Sequence, residues 1–275
     1  MLLALTRSVS PEIARCELTH LARTPIDYAR AVAEHDEYED LLRRLGCRVE
    51  RLPDAPELPD SVFVEDTAVV FDDVAVIARP GAASRQPEVD AMVGALEPYR
   101  RLKCIEPPGT LDGGDVLVTP GRVFVGLSGR TNEEGMRQLA SHIAPFGFEV
   151  IGVPVTGCLH LKSAVTVLGL PPKGGSYGEN LWLPPSGGRT LLLINPAWVD
   201  PAHFAGCDLI EIDPAEPAAA NVLLVDGTVI GAAEFPQTRR RIEAKGLVTA
   251  SVPAGELAKA EGGLTCCSVL VTVRE

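Results

Sequence analysis

Leu111-Asp112-Gly113-Gly114-Asp115-Val116-Leu117-Val118 begins with a short polar segment and continues as an apolar strand. We call such a polar segment before a strand a polar lead. A turn at Pro120-Gly121 follows, and a second apolar strand runs from Arg122 to Gly126. Proline and glycine favour tight turns, and two apolar runs joined in this way predict a β-hairpin. Carboxylates and glycines therefore mark one end of the hairpin.

The same pattern occurs five times along the chain. The polar leads lie roughly 50 residues apart, which is typical of repeated structural units. Their main residues are Glu65, Asp112, His160, Asn221 and Cys266. Most gaps between hairpins have the pattern of a helix followed by a strand. The predicted helices are Ile26 to Leu45 with Asp27 near its start, Ser84 to Tyr99 with Ser84 as its cap, Thr131 to Phe146, a weak one from Pro196 to Phe204, and Pro236 to Lys245.

Five α/β units of this kind predict a closed ring, because each unit must bury two faces on its neighbours. We therefore expect a single α/β domain over residues 1–275, with pseudo-fivefold repeats around a central channel. In a closed ring every polar lead faces that channel. The residues collected there would be Asp60, Glu65, Asp66, Asp112, His160, Asn221 and Cys266.

Composition narrows the possible partners. The net charge of −12 argues against a nucleic-acid backbone or an anionic membrane surface as a partner. It suits a small cationic substrate, although an acidic surface more often serves only solubility. The seven cysteines are scattered and form no CxxC pair, which fits a reducing compartment. No apolar run approaches the roughly 20 residues of a membrane span, so we expect a cytoplasmic protein.

The adjacent pair Cys266-Cys267 follows a loop of small residues. Because side chains alternate along a strand, one thiol would face the cavity and the other the opposite side. Cysteine is a strong nucleophile when a base or a lowered pKa activates it, but most cysteines are simply buried. His160 is either a core residue or a general acid and base. Asp112 either orients that imidazole, hydrogen-bonds a substrate or belongs to an ordinary acidic turn.

Asp60, Glu65 and Asp66 lie beside a strand of valine and phenylalanine. Buried carboxylates without partners are costly, and no basic residue lies close to them in sequence. A planar guanidinium ligand would match two such carboxylates with parallel hydrogen bonds. A salt bridge to a distant arginine, for example Arg79, is the structural alternative.

Arg85 and Arg130 each begin a segment just after a hairpin. Surface exposure is the default expectation for both. Because they occupy matching positions in successive units, together they could clamp the α-carboxylate of a substrate.

The chain resembles the dimethylarginine dimethylaminohydrolase family of the guanidine-modifying superfamily. The resemblance runs in order through nearly the whole chain. The shared strings are Leu58 to Asp66, Arg79 to Ala82, Leu111 to Val116, Gly126 to Ser128, Arg130 to Asn132, His160 to Ser163 and Leu264 to Leu270.

The resemblance implies the five-bladed α/β propeller, or pentein fold, and a role for each matching residue. Cys266 is implied as the nucleophile, His160 as the acid and base, and Asp112 as its carboxylate partner. Cys267 becomes a packing residue. The implied substrate contacts are Glu65 and Asp66 at the guanidinium, Asp60 at the α-amino group, Arg85 and Arg130 at the α-carboxylate, Phe63 along the substrate, Leu18 on a lid loop, and Ser163 near the site.

The implied reaction is hydrolysis of N-omega-methylated arginines to citrulline and methylamine or dimethylamine, through a covalent thiouronium on Cys266. No metal or cofactor is implied, and a monomer or homodimer is expected. The alternatives are arginine deiminase, a hydrolase of another N-substituted guanidine, and a non-catalytic ligand-binding propeller.

Two stretches depart from the family pattern. Leu170 to Arg189 is rich in glycine and proline, so the second strand of the middle unit is not assigned there. Ala260-Glu261 stands where the family often carries a valine and an aspartate.

Overall fold

A computed structural model describes residues 1–169 and 189–273 of the chain. These residues contain five sheets of three strands each. In every sheet the central strand pairs with one neighbour antiparallel and with the other parallel. The sheets form the five-bladed α/β propeller that the repeats and the resemblance predict.

The strands number fifteen within the described residues. They are β1 Leu2–Thr6, β2 Arg48–Arg51, β3 Ala68–Val70, β4 Val74–Ile77, β5 Arg101–Cys104, β6 Val116–Thr119, β7 Arg122–Leu127, β8 Glu149–Pro154, β9 Val165–Gly169, β10 Leu191–Ile194, β11 Asp208–Glu211, β12 Leu223–Val225, β13 Thr228–Ala232, β14 Val248–Val252 and β15 Val269–Thr272. Blade 1 consists of β3 to β5, blade 2 of β6 to β8, blade 3 of β9 to β11, blade 4 of β12 to β14, and blade 5 of β15, β1 and β2.

The α-helices connect strands or precede them. They are α1 Tyr28–Arg44, α2 Val89–Leu96, α3 Glu133–Ile143, α4 Leu161–Ala164, α5 Pro236–Glu243 and α6 Gly255–Ala258.

Helix starts follow local capping chemistry. The Asp27 side chain accepts the N–H of Arg30 at the start of α1, and Asn132 does the same for Gly135 in α3. Ser84 does not cap a helix, because its hydroxyl donates to Glu17 instead.

Two predicted helices are shorter than expected. The segment predicted from Ser84 to Tyr99 begins as a 3₁₀ helix at Ala83–Glu88 that contains a proline, and only then becomes α2. The segment from Pro196 to Phe204 forms a single 3₁₀ turn at Pro201–Phe204. The Asp200 side chain accepts the N–H of Ala202 there, a local bond that competes with a longer helix.

The polar leads do not begin as strands. In blades 1, 2, 3 and 5 a single helical turn precedes the inner strand. These turns are Val64–Thr67, Gly113–Asp115, α4 and Thr265–Cys267. Cys266 and Cys267 thus lie on a turn, and the expectation that strand alternation separates their two thiols is wrong.

The ring closes between the first and last strands. β1 pairs antiparallel with β15, with Leu3 opposite Val271. Both side chains are fully buried, in one apolar cluster with Ile77 of β4 and Met92 of α2. Blade 5 therefore packs against blade 1. The sequence analysis does not identify β1.

The same kind of hydrogen bond joins successive blades at four junctions. In each, a polar side chain near the start of one inner strand accepts a backbone N–H from the next blade. We call these the junction hydrogen bonds. They are Gly114 N to Asp66 Oδ1 at 2.9 Å, Leu161 N to Asp115 Oδ1 at 2.9 Å, Val222 N to Thr166 Oγ1 at 3.3 Å, and Thr265 N to Asn221 Oδ1 at 3.0 Å.

The inner strands enclose a cavity of about 350 Å³ along the channel. Its walls are mainly aliphatic, and Glu65, Lys162 and Thr265 contribute polar groups to its lining. Most of the segment Leu170 to Arg189 lies outside the described residues. The return strand of blade 3 is β10, which pairs antiparallel with β9. Within the described ranges, no helix is both long and apolar enough to cross a membrane.

Replacing Leu3 by alanine should lower the free energy of unfolding by about 2–5 kcal/mol, because the fully buried side chain would leave a cavity where the ring closes. Denaturant titration measures this loss. The matched control is Val248→Ala, since Val248 is 63% exposed on β14. A Leu3→Ala loss no larger than that of the control would contradict the role of β1 in ring closure.

Candidate active site

The helical turns of the polar leads bring the predicted catalytic side chains to one end of the channel. The Val64–Thr67 turn contacts the Gly113–Asp115 and Thr265–Cys267 turns, and the Gly113–Asp115 turn contacts α4. The residues on or directly before these turns include Glu65, Asp66, Asp112, His160 and Cys266.

His160 lies between two carboxylates. Its Nε2 is 3.0 Å from Asp112 Oδ2, and its Nδ1 is 3.7 Å from Asp66 Oδ1. Burial lowers the pKa of the imidazole, but Asp66, Asp115 and Asp112 outweigh it and raise the pKa to about 9. The ring therefore carries a proton at neutral pH.

Asp112 is held by backbone and hydroxyl groups. Its Oδ1 accepts the N–H of Gly81 at 2.8 Å, and its own N–H donates to Thr131 Oγ1 at 3.0 Å. Gly81 is required because a Cβ there would lie 2.3 Å from the Arg130 carbonyl oxygen. The second oxygen of Asp112 is left to face His160.

Asp66 is surrounded by positive charge and a backbone donor. Arg85 Nη1 donates to Oδ2 at 2.6 Å, and Gly114 N donates to Oδ1 at 2.9 Å. A Cβ on Gly114 would lie 2.6 Å from His160 Nδ1, so only glycine fits here. Burial opposes ionisation, yet His160 and Arg85 lower the pKa of Asp66 to about 2.

Asp115 belongs to the same buried group, although the sequence analysis assigns it no role. It accepts the N–H of Leu161 at 2.9 Å and the hydroxyl of Ser128 at 2.6 Å. Burial raises its pKa to about 6. Its place in the polar lead, three residues after Asp112, is the signal that points to it.

The Glu65 carboxylate is paired with a lysine of the protein itself. Lys162 Nζ donates to Oε1 at 2.5 Å, and Thr265 Oγ1 donates to Oε2 at 2.7 Å. Burial raises the pKa of Glu65, and these two partners oppose that rise. The structural alternative, a salt bridge to a basic residue farther along the chain, is what forms here: Asp66 pairs with Arg85, and Glu65 pairs with Lys162. The example named, Arg79, is not a partner, because it donates to the Gly109 carbonyl. Neither Lys162 nor Thr265 is identified from the sequence as a partner.

Arg85 is neither at the surface nor free in a pocket. Its guanidinium is buried and bonds Asp66, both oxygens of Glu88, and the carbonyl of Phe63. Burial lowers the pKa of Arg85, but Glu88 and Asp66 hold it well above its usual value. The contact that sequence reasoning missed is Glu88, three residues on. The carboxylates of Asp66 and Glu88 thus bind the Arg85 guanidinium, which was expected to bind the α-carboxylate of a substrate.

Arg130 and Asp60 contact the segment that carries Leu18. Arg130 Nη2 donates to Thr19 Oγ1 at 3.2 Å, while its buried Nη1 has no hydrogen-bond partner among the described residues. Asp60 accepts the N–H of Glu17 with both oxygens, at 3.1 and 3.2 Å. Leu18 itself is partly buried against an apolar cluster.

Glu261 holds the loop after Leu18. Its carboxylate accepts the backbone N–H groups of Thr19, His20 and Leu21. The Glu261 backbone is left-handed, with φ of 59°, a strained conformation for a residue with a Cβ. The position where the chain departs from the family pattern therefore fastens this loop.

Both adjacent thiols lie on a 3₁₀ turn. Cys266 is 8% exposed, and its Sγ accepts the N–H of Gly263 at 3.4 Å. Burial, with Glu65 and Asp66 nearby, raises its pKa to about 12. Cys267 is 1% exposed, and its thiol donates to the Gly263 carbonyl. The two cysteines therefore differ in exposure and in hydrogen bonding.

The remaining predicted residues also lie beside these turns. Phe63 is buried, and a Cβ on Gly262 would lie 2.1 Å from its ring, so the phenyl group packs on the segment that leads to Cys266. Ser163 is partly buried, and its N–H donates to the His160 carbonyl. Their predicted contacts with a substrate stay predictions.

Asp66, Asp112 and His160 are the only described residues whose ligand atoms form a group compact enough for a metal, within 4.8 Å of one another. Each already has hydrogen-bonding or charged partners in the protein, including one another. We assign no metal to this group.

Known proteins resemble the chain over most of its length. A profile of the family described as N,N dimethylarginine dimethylhydrolase, eukaryotic, matches residues 21–168. The N(G),N(G)-dimethylarginine dimethylaminohydrolase of Streptomyces coelicolor is 38% identical, over 97% of this chain and 95% of that protein. The chain belongs to the dimethylarginine dimethylaminohydrolase family. The Pseudomonas aeruginosa member is 32% identical, over 91% of each chain.

Solved structures agree with the family and the fold. The P. aeruginosa dimethylarginine dimethylaminohydrolase, as a cysteine-to-serine mutant with citrulline, superposes with a TM-score of 0.86 at 29% identity, over 98% of each chain. The N-terminal domain of the cyanobacterial arginine dihydrolase ArgZ superposes with a TM-score of 0.81 at 16% identity, over 99% of this chain and 98% of that one. At 16% identity, the similarity to ArgZ shows only that the fold is shared.

A titration of the His160 ring by ¹⁵N NMR should give a midpoint near pH 9, above the unperturbed 6.5. Because the folded pKa is the higher one, His160 contributes stability that is fully present below about pH 6.5 and is lost as the pH rises through 9. Asp112→Asn is the control, and removal of that charge should lower the midpoint. A wild-type midpoint at or below 6.5 would show that the carboxylates do not act on the ring.

Proposed function

We propose that the protein hydrolyses N-omega-methylated arginines to citrulline and methylamine or dimethylamine. The observation that carries the proposal is the convergence of the Cys266 turn, the His160–Asp112 pair and the Glu65–Asp66 pair at one end of the channel. A thiol, a protonated imidazole and carboxylates suited to a guanidinium are the groups this reaction needs. The names of two relatives, dimethylarginine dimethylaminohydrolases, agree with it.

In the proposed mechanism the Cys266 thiol loses its proton to solvent, and the thiolate attacks the guanidinium carbon while the C=N π pair moves onto nitrogen. The raised pKa of Cys266 means that the thiol is protonated before substrate binds. A guanidinium held by Glu65 and Asp66 would bring positive charge to the sulfur and lower that pKa. The tetrahedral adduct then forms a C–S bond while the carboxylates hold the guanidinium nitrogens.

His160 supplies the proton for the leaving group. Its pKa of about 9 keeps it protonated at neutral pH, so it can protonate the departing amine as the C–N bond breaks. The neutral imidazole then takes a proton from water, which attacks the covalent thiouronium. Collapse of this second adduct breaks the C–S bond and releases citrulline and the thiolate. Asp112 stabilises the imidazolium before it gives up its proton and again after it takes one from water.

Arg130 is the proposed partner of the substrate α-carboxylate. Its buried Nη1, which has no hydrogen-bond partner in the described part of the chain, supports this role, because a buried guanidinium donor is expected to have an acceptor. We propose Asp60 for the α-amino group, with Leu18, Phe63 and Ser163 around the rest of the substrate. For Arg85 we propose a contact with the substrate α-carboxylate, which competes with the ion pairs that Arg85 forms with Asp66 and Glu88.

The proposal also covers the setting of the enzyme. None of the seven cysteines, all of them in the described ranges, forms a disulfide, which supports a reducing, cytoplasmic compartment. The pairing of β1 with β15 supports a single domain over the whole chain.

Cys266→Ser should reduce turnover of dimethylarginine by about 10³-fold or more, because a serine hydroxyl lacks the nucleophilicity of the thiolate. Citrulline binding, measured by calorimetry, should persist in this variant. Cys267→Ser is the matched control and should keep nearly full activity, since its hydroxyl can still donate to Gly263. Comparable losses in both variants would refute the assignment of the nucleophile.

The substrate class is tested by citrulline release from dimethylarginine, monomethylarginine and arginine. We expect release from the methylated substrates, with dimethylamine or methylamine formed in equal amount. The Cys266→Ser variant provides the background rate for each substrate. Citrulline released from arginine alone would make the protein an arginine deiminase. Tight binding without turnover of any of the three would indicate a binding propeller.

A further inference from the structure

Asn221 occupies the polar lead of blade 4, the one blade that supplies no residue to the proposed mechanism. It is 8% exposed and lies two residues before β12, the inner strand of that blade. Its side-chain amide contacts two of the turns that carry the site. Oδ1 accepts the N–H of Thr265, and Nδ2 donates to Thr265 Oγ1 at 3.0 Å and to the Lys162 carbonyl at 3.1 Å.

The chemistry of the partners fixes which way this amide points. A backbone N–H can only donate, so the oxygen must face Thr265 N. A backbone carbonyl can only accept, so the nitrogen must face Lys162 O. The orientation of Asn221 thus follows from groups whose roles cannot be exchanged.

The orientation of Asn221 in turn fixes the hydroxyl of Thr265. Because Nδ2 donates to Oγ1, the hydroxyl hydrogen is free to point elsewhere, and Glu65 Oε2 lies 2.7 Å away. The hydrogen bonds therefore run in one direction, from Asn221 to Thr265 to Glu65. Glu65 receives this bond at one oxygen and the Lys162 ammonium at the other.

Asn221 also lies directly against the segment that presents the nucleophile. A Cβ on Gly263 would lie 2.4 Å from Asn221 Cγ, so the amide and the Gly263 backbone are in close contact. The N–H of Gly263 in turn donates to Cys266 Sγ. One side chain thus supports both the thiol turn and the carboxylate proposed to hold the guanidinium.

We propose that Asn221 is a positioning residue that directs the Thr265 hydroxyl toward Glu65 and fixes the turn carrying Cys266. The inference rests on the proposed function, since it assigns Asn221 to the same reaction. Asn221 touches neither the substrate nor the reacting atoms and acts through Thr265.

An aspartate at position 221 tests the direction of these bonds without changing the size of the side chain. It would place an oxygen where Nδ2 now donates, facing the Lys162 carbonyl. The Thr265 hydroxyl would then donate to the new carboxylate and leave Glu65. Thr265→Val removes the same hydroxyl with a similar shape, whereas Thr265→Ser retains it.

Asn221→Asp and Thr265→Val should each lower kcat/KM for dimethylarginine by about 10- to 100-fold, the usual cost of losing a buried hydrogen bond to a charged group. Thr265→Ser should restore activity to within about 3-fold of wild type. Asn195→Asp is the matched control, because Asn195 is a buried bridging amide outside the site. It should lower the melting temperature without this loss of kcat/KM.

A second readout does not depend on turnover. Thr265 is one of the groups that oppose the raised pKa of Glu65, so loss of its hydroxyl should raise the midpoint of the Glu65 carboxyl further. Carbon-13 NMR of labelled glutamate, assigned with Glu65→Gln, measures this midpoint in wild type and in each variant. The other titratable groups that act on or respond to Glu65 are Lys162, Asp66, Tyr38, Cys266 and Cys267.

The two readouts separate the possible failures. If wild type does not hydrolyse methylarginines, the proposed function fails, while a raised Glu65 midpoint in Thr265→Val, which adds no charge, still supports the hydrogen bond from Thr265 to Glu65. If wild type is active and neither kcat/KM nor the midpoint changes in Asn221→Asp and Thr265→Val, the inference is overturned. Losses matched by Asn195→Asp, or not rescued by Thr265→Ser, would also overturn it, because they would reflect only folding.

Discussion

The structure depends on the junction hydrogen bonds, in which a polar side chain of one blade accepts a backbone N–H of the next. A buried polar acceptor without a donor is costly, most of all when it is a carboxylate, so each acceptor constrains the position of the neighbouring blade. Asp66 and Asp115 use this bond to place the turns of blades 2 and 3, and both lie within the field of His160. The contacts that hold the blades in register therefore also assemble the candidate site.

The repeats of the sequence predict five blades and a common end for the polar leads, because apolar periodicity and turn residues are local signals. They do not predict that the leads form helical turns, nor that Lys162 neutralises Glu65. That pair is separated by 97 residues, and no local pattern encodes it. The pairing of Arg85 with Glu88 could have been predicted, because the two residues are only three positions apart. β1 is missed because a short apolar run carries no mark of its partner.

The charged groups of the candidate site determine the protonation of His160 and Cys266. Burial, with Glu65 and Asp66 nearby, keeps the Cys266 thiol protonated, and the carboxylates around His160 overcome its burial and keep the imidazole protonated. Under the proposed mechanism, thiolate formation depends on a cation entering the site, which links the reactivity of Cys266 to the charge of the ligand. The thiol would then stay unreactive toward other electrophiles until a guanidinium is bound.

Ring closure has a consequence for the order in which the chain acquires its structure. The backbone hydrogen bond from Met1 to Val273 spans 272 residues, so the last junction is made between parts far apart in the sequence. Contacts of such separation form slowly, because a large loop must first be ordered. The thiol lies immediately ahead of the strand that makes this closure. Under the proposed mechanism, Cys266 therefore reaches its place in the site only when β15 has paired with β1.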